Sequence, residues 1–290
     1  MPPKSQRLWP DSATLLERSK GVFHAHWEEL LRLRRAVIQT SDPDDIHDLR
    51  VASRRFRAVL ELFYPFLPKA PKTELRKSVR ILTRTLGGLR NIDEAELFFR
   101  SHARVDIPGD ATLVQALSDL RPTELKRIRK TLKAFDHRHL DLMVREMVAG
   151  LNEASITERS SISLLAYFSG VSIRLYMPIQ QKLSGSTEPG QRAARHALRI
   201  SVKKWRYFFE IIATILDRDY TPFLELLKEY QSVLGRMNDI TEFGMLLGNL
   251  KLPKGERNHA ETLLQAEEIL LLKSFTERIE RTPLGYTFLI

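Results

Sequence analysis

The chain is expected to be all-helical and built from two related halves. Three observations predict this. Apolar residues recur at three- and four-residue spacing almost throughout the 290 residues, as in LLERSKGVFHAHWEELLRLRRAVI, which is the period of a helix with one buried face. Glycine is scarce at 13, and the 14 prolines fall mostly between the periodic stretches, leaving no convincing strand. Finally, HDLRVASRRFRAVLELF (47–63) overlays HALRISVKKWRYFFEII (196–212) without a gap, and LGGLRNI (86–92) overlays LGRMNDI (234–240) at nearly the same offset. Two matches that keep both order and spacing argue for a duplicated unit of about 150 residues. We place its copies at 1–153 and 154–290.

Each element rests on local signals. The first long amphipathic run predicts a helix over 12–39. SDPDD (41–45) supplies a cap, a proline and an acidic first turn, the preferred start of a helix, here 43–64. Helices over 71–86 and 91–103 are expected on either side of the first Leu-Gly motif, read as a helix–helix turn. There Gly87 would permit a left-handed backbone, and Asn91 or Asp93 would cap the second of these helices. A helical stretch spans 111–150 with a break near Pro122, and another spans 158–183. SGSTEPGQ (184–191) is the most loop-like segment. The second copy then repeats the scheme with helices at 190–217, 221–235, 239–250 and 256–282, Gly235 and Asp239 taking the turn and cap roles.

Composition narrows the function. Hydrophobic content of 43% with 28% charge suits a core-forming protein rather than a disordered one. The absence of cysteine excludes disulfides, thiolate zinc sites and a cysteine nucleophile, and a reducing, cytoplasmic setting is the expectation. No window approaches a membrane span, and MPPKSQRLWP at the N-terminus has no apolar stretch behind its charges. Lysine and arginine number 46 against 36 acidic residues, a net charge of +10 that favours polyanionic partners.

Those cations are collected rather than spread. At about 100° per residue, His47, Arg50, Arg54, Arg57 and Glu61 fall within an arc of about 80°, opposite Leu49, Ala52, Phe56, Val59, Leu60 and Phe63. The copy repeats the arrangement with His196, Arg199, Lys203, Arg206 and Glu210. Like charges in a row repel, a cost offset when an anion fills the row. Glu61 and Glu210, four residues beyond Arg57 and Arg206, are placed to orient a guanidinium. The helix before the first Leu-Gly motif adds Arg76, Lys77, Arg80 and Arg84, with Arg80 matched by Lys228. Lys204 and Arg55 lie off the rows, and Lys126, Lys130 and Lys133 form a further basic run without a counterpart. A lone charged stripe is usually a solvated face; repetition of His and Arg at matching positions argues for a ligand.

Asp-Pro-x-x-Ile-His-x-x-Arg-Val-x-x-x-Arg-x-x-Arg (42–57), His-x-x-Arg-Ile-x-x-Lys-Lys-x-Arg-Tyr-x-x-Glu (196–210) and the two Leu-Gly motifs together resemble the CHAD domain, the conserved histidine α-helical domain. The resemblance spans nearly the whole chain. It implies two four-helix halves about a pseudo-twofold axis, a basic central channel that binds inorganic polyphosphate without catalysis or cofactor, and association with polyphosphate granules. The ligand contacts it implies are His47, Arg50, Arg54, Arg57, His196, Arg199, Lys203 and Arg206, with Arg80, Arg84, Lys204 and Lys228 beside them. Asn91 departs from the family, which usually carries Asp there; the second copy keeps Asp239.

Arginine offers a planar fork to two phosphate oxygens and lysine a mobile point charge, a combination suited to phosphate-rich anions. The two rows are expected to face one another. Bound phosphate would favour the charged form of His47 and His196, tightening binding as pH falls toward 6. The main alternative is a backbone-directed nucleic-acid binder. Against it, the arc carries no Asn or Gln and no stacking aromatic, Tyr207 lying at its margin. An enzyme using phosphohistidine or a metal is the third class. The pairs His24/His26 and His137/His139 diverge by about 200° on a helix, which does not suit a shared metal ion.

Overall fold

Asp11 accepts a hydrogen bond from the Thr14 amide at 2.8 Å and starts helix α1 (Ser12–Thr40); Ser41, at φ 54°, ends it in the left-handed region. Asp42 and Pro43 then start α2 (Pro43–Phe63), the carboxylate accepting from the Asp44 amide at 2.8 Å. In the computed structural model, residues 9–102, 108–152 and 163–288 are described. The remaining helices are α3 (Lys69–His102), α4 (Pro108–Ser118), α5 (Arg121–Ala134), α6 (His137–Ala149), α7 (Leu164–Leu183), α8 (Arg192–Leu216), α9 (Thr221–Asn249) and α10 (Lys254–Arg281), and short 3₁₀ turns follow α2 and α7. No strand occurs among the described residues. None of the described helices is long and apolar enough to cross a membrane.

The Leu-Gly motifs are not turns. α3 runs unbroken through Gly87 and Gly88, and α9 through Gly235, so each replaces two expected helices by one. The physical reason lies in the stripe that continues across the glycines: Leu82, Leu86, Leu89 and Ile92 in α3, and Leu234, Met237 and Ile240 in α9, are all buried. Burying three or four such side chains outweighs the roughly 1 kcal/mol by which a helical glycine falls short of alanine. Asn91, Asp93 and Asp239 accordingly cap nothing and are free to make lateral contacts. The segment expected at 111–150 breaks twice, before Pro122 and again where Phe135 turns extended and Asp136 caps α6. The expected start of a helix at 158 and the division between 153 and 154 lie outside the described residues.

Helix α1 packs along α2, α2 along α3, α7 along α8 and α8 along α9; across the molecule α2 meets α8 and α3 meets α9. One continuous apolar cluster links these layers. Its large members occupy matching places in the repeat. Phe56 sits 5.0 Å from Trp27 on α1, and Trp205, its counterpart in α8, sits 5.0 Å from Tyr176 on α7, the counterpart of Trp27. Their shared effect is to fix the roll of α2 and α8 so that the opposite, cationic face of each turns toward the other half. The two halves close differently. In the first, α6 lies against α1. In the second, an extended tail is tied down by Tyr176, Tyr220 and Tyr230, whose hydroxyls donate to the carbonyls of Leu284, Phe288 and Thr282 at 3.3, 2.7 and 2.7 Å.

Candidate functional site

The α2 and α8 rows converge on one cleft of about 770 Å³, which α3, α7 and α9 complete. Arg50, Arg54 and Arg57 enter from α2, and His196, Arg199, Lys203 and Lys204 from α8. Arg76, Arg84 and Arg90 come from α3. The expectation that the rows face one another is met for these residues. Others named from sequence fall elsewhere. His47 is exposed on α2 away from the cleft lining, as is Arg80 on α3. Lys228 is exposed and lies 3.5 Å from Glu225. Arg206 turns aside, 3.1 Å from Glu210 and stacked over the Tyr207 ring at 5.5 Å.

The two glutamates therefore differ. Glu210 braces Arg206, as its spacing suggests, and also reaches Arg55 of the other half at 3.5 Å. Glu61 instead pairs with Arg76 at 2.7 Å, because α3 brings that guanidinium closer than Arg57 on its own helix. Arg50, Arg57 and Arg199 each hold a buried Nε without a hydrogen-bond partner, and so does Arg206, which has only the ion pair with Glu210 there. A guanidinium N–H held away from water without an acceptor costs energy. The guanidinium groups of Arg50, Arg57 and Arg199 line one space, where their charge favours an acceptor-rich anion.

Electrostatics sharpen this picture. Burial, reinforced by Arg54 and Arg90, lowers the Arg50 pKa to about 9. Burial also lowers Arg54, whose hydrogen bond to Tyr207 works in the opposite direction, and lowers Arg57 and Arg199. Lys203 comes closest to neutrality: burial, then Arg54, Arg199, Arg50 and Arg57, bring its ammonium down to about 7. Without an anion the cleft thus holds a lysine on the edge of losing its proton, as crowded cations in a shielded space require.

The opposite wall is pinned by a bridge between the halves. Arg90 grips Asp239 with both terminal nitrogens, at 2.5 and 2.8 Å, and Asn91 donates to Glu242 at 3.1 Å. His196 Nδ1 meets Asn238 Oδ1 at 2.5 Å. Asp93 pairs with Arg121 at 2.9 Å. Sequence reasoning missed Arg90 because its motif read as a turn; in helical register it follows Gly87 by three, which was the available signal. Arg174, a cation in the middle of the mostly apolar α7, carried no signal at all. Tyr167 and Phe208 were not foreseen in the lining, and Tyr207, expected at the margin of the arc, joins them; all three contribute from largely buried positions. Among the described residues, no group of three or more His, Asp or Glu is placed to hold a metal ion.

The geometry has parallels among known proteins. The chain is similar over its full length to the crystal structure of the CHAD domain from the plant Ricinus communis, at 23% identity and a TM-score of 0.77, with 99% of that chain covered. It is also similar to PptA from Streptomyces chartreusis, at 15% identity and a TM-score of 0.64 over 92% of this chain and 99% of that one. At these identities the likeness is one of fold. No curated protein matches the chain. The CHAD domain family model, however, matches residues 21–247, most of the sequence, and the chain belongs to the CHAD domain family.

Proposed function

We propose that the protein binds inorganic polyphosphate non-catalytically in the cleft between its halves, 1–153 supplying one wall and 154–290 the other. The observation that carries this reading is the convergence of Arg50, Arg54, Arg57, Arg199 and Lys203, drawn from both copies of the repeat, in one partly buried space. A phosphate chain offers a negative charge and several acceptor oxygens per unit, matching the cations that line the cleft. Membership of the CHAD domain family supports the same ligand. Arg84 and Lys204 extend the lining, while His47, Arg80, Arg206 and Lys228 stand outside it, where they act on the ligand only through long-range attraction or on chain beyond the cleft.

Duplex nucleic acid is a poor fit. A cleft of this volume has the size of a small-molecule site, and a duplex would reach only its rim. Calorimetric titration with long-chain polyphosphate at physiological salt tests the proposal, using the wild type and Arg54→Glu/Lys203→Glu, with duplex DNA as competitor. The expected result is tight binding, insensitive to DNA and reduced at least 100-fold in the double variant, on the order of the loss of two charge-assisted contacts. Binding that survives the reversal, or that DNA displaces at equal phosphate, would refute it.

A further inference from the structure

The cations occupy only part of the cleft. Toward the C-terminal end of α2, beside the Glu61–Arg76 pair, the lining gains an apolar strip: Ala58 and Leu62 from α2, Val171 and Leu175 from α7, and Phe208 and Ile211 from α8 face the same space. Tyr167 closes this annex. Its hydroxyl donates to the Leu62 carbonyl at 2.6 Å, fastening α7 to the end of α2, and the guanidinium of Arg174 lies 6.0 Å from its ring centre. Arg54 and Leu62 are eight residues apart, about 12 Å along the helix, so the cationic floor and the annex are adjacent parts of one site.

The first half has no equivalent. There α1 packs along α8, and Arg18, 149 residues before Tyr167, commits its guanidinium to the Ile215 carbonyl and to Asp217, both at 3.3 Å. The cleft is therefore cationic in the middle and carries an apolar strip at one end. A bare phosphate chain has nothing to gain from the apolar end. A ligand with a flat, weakly polar group on one terminus of a phosphate chain would use both parts, its ring face covered by aliphatic and aromatic side chains and by a guanidinium able to stack.

We propose that this cleft also accepts nucleoside 5′-triphosphates, with the phosphates on Arg50, Arg54 and Lys203 and the base in the annex beside Tyr167 and Arg174. The inference rests on the phosphate-binding reading of the same cleft. It adds an end group and a direction. Base identity matters little, because the two amides lining the cleft, Asn91 and Asn238, are engaged with Glu242 and His196.

The test is calorimetry without divalent cations, comparing tripolyphosphate, ATP, GTP and geranyl diphosphate on the wild type and on Val171→Ser/Leu175→Ser, with helicity checked by circular dichroism. ATP is expected to bind about 10-fold tighter than tripolyphosphate, the scale of stacking one base, with GTP within about threefold of ATP on the same ground. The serine variant loses that gain and keeps its tripolyphosphate affinity. Saturation-transfer NMR on the wild type gives a second readout independent of the variant's folding: adenine H2 and H8 should be saturated more strongly than the ribose protons. If tripolyphosphate binds and ATP is no tighter, or the adenine protons are unsaturated, the inference fails alone. Tighter binding of geranyl diphosphate than ATP would also overturn it. If tripolyphosphate and long-chain polyphosphate both fail to bind, the parent reading falls and takes the inference with it.

Discussion

The two halves carry the same row of residues at the same spacing, yet they use it unequally. Arg50 and Arg199, and likewise Arg54 and Lys203, enter the cleft as matched pairs. The third pair divides: Arg57 stays in the lining, while Arg206 is claimed by Glu210 and Tyr207. The helices behind the rows differ more. Where α3 carries Arg76, Lys77, Arg84 and Arg90, the corresponding positions of α9 hold Leu224, Glu225, Ser232 and Asn238. Repetition therefore preserves which residues point inward, and neighbours from other helices decide which of them remain available. Positive charge is concentrated on the first half's side of the cleft.

Charge reversal exposes this inequality most strongly. Arg57→Glu should weaken polyphosphate binding about 30-fold, one charge-assisted contact replaced by repulsion. Its counterpart Arg206→Glu should change binding less than about threefold, as expected for a charge outside the site. Equal losses in parallel titrations would mean that Arg206 leaves its partners when ligand arrives.

The Arg54/Lys203 pair makes a second distinction, since only Lys203 titrates near neutrality. Its pKa of about 7 in the free protein rises when an anion binds. Affinity should thus be nearly level below pH 7 and fall as pH rises above it, by up to about tenfold per unit for one linked proton. Lys203→Arg should flatten the profile between pH 7 and 8, below the range in which Arg50 starts to lose its proton. A slope confined to pH 6–7 would transfer the effect to histidine, and of the two histidines only His196 lines the cleft.

The smallest effect concerns the glycines. A Cβ placed on Gly87 or Gly235 meets nothing within 4 Å, and both lie in helices. Alanine at either position should stabilise the chain by about 0.5–1 kcal/mol in urea unfolding. Gly88 differs from both, because its Cβ would come within 2.4 Å of Glu124 on α5. Destabilisation by Gly235→Ala would revive the turn that the sequence suggested.

Much of this was legible in the residues. The apolar period specified the helices, and the repeated His-x-x-Arg rows located every basic side chain that α2 and α8 bring to the cleft except Lys204. Lys204 and His47 show the limit. One residue off the row, Lys204 lines the cleft all the same; His47, in the row, does not, although its counterpart His196 does. The Leu-Gly motifs misled because local glycine preference opposed a buried stripe, and only packing resolves such a contest. Residues brought in by other helices, Arg90 and Arg174 above all, had no local pattern to announce them.

The bridge from Arg90 to Asp239 has a consequence for ancestry. In register, the counterpart of Asp239 is Asn91 and that of Arg90 is Asn238. Two copies of the first half joined in the same way would set arginine against asparagine, and two copies of the second would set asparagine against aspartate. The ion pair exists only when unlike halves meet. A symmetric ancestor whose halves each carried both the arginine and the aspartate would have made the contact twice; this chain keeps one of the two, and each half has become a specialist that its twin can no longer replace.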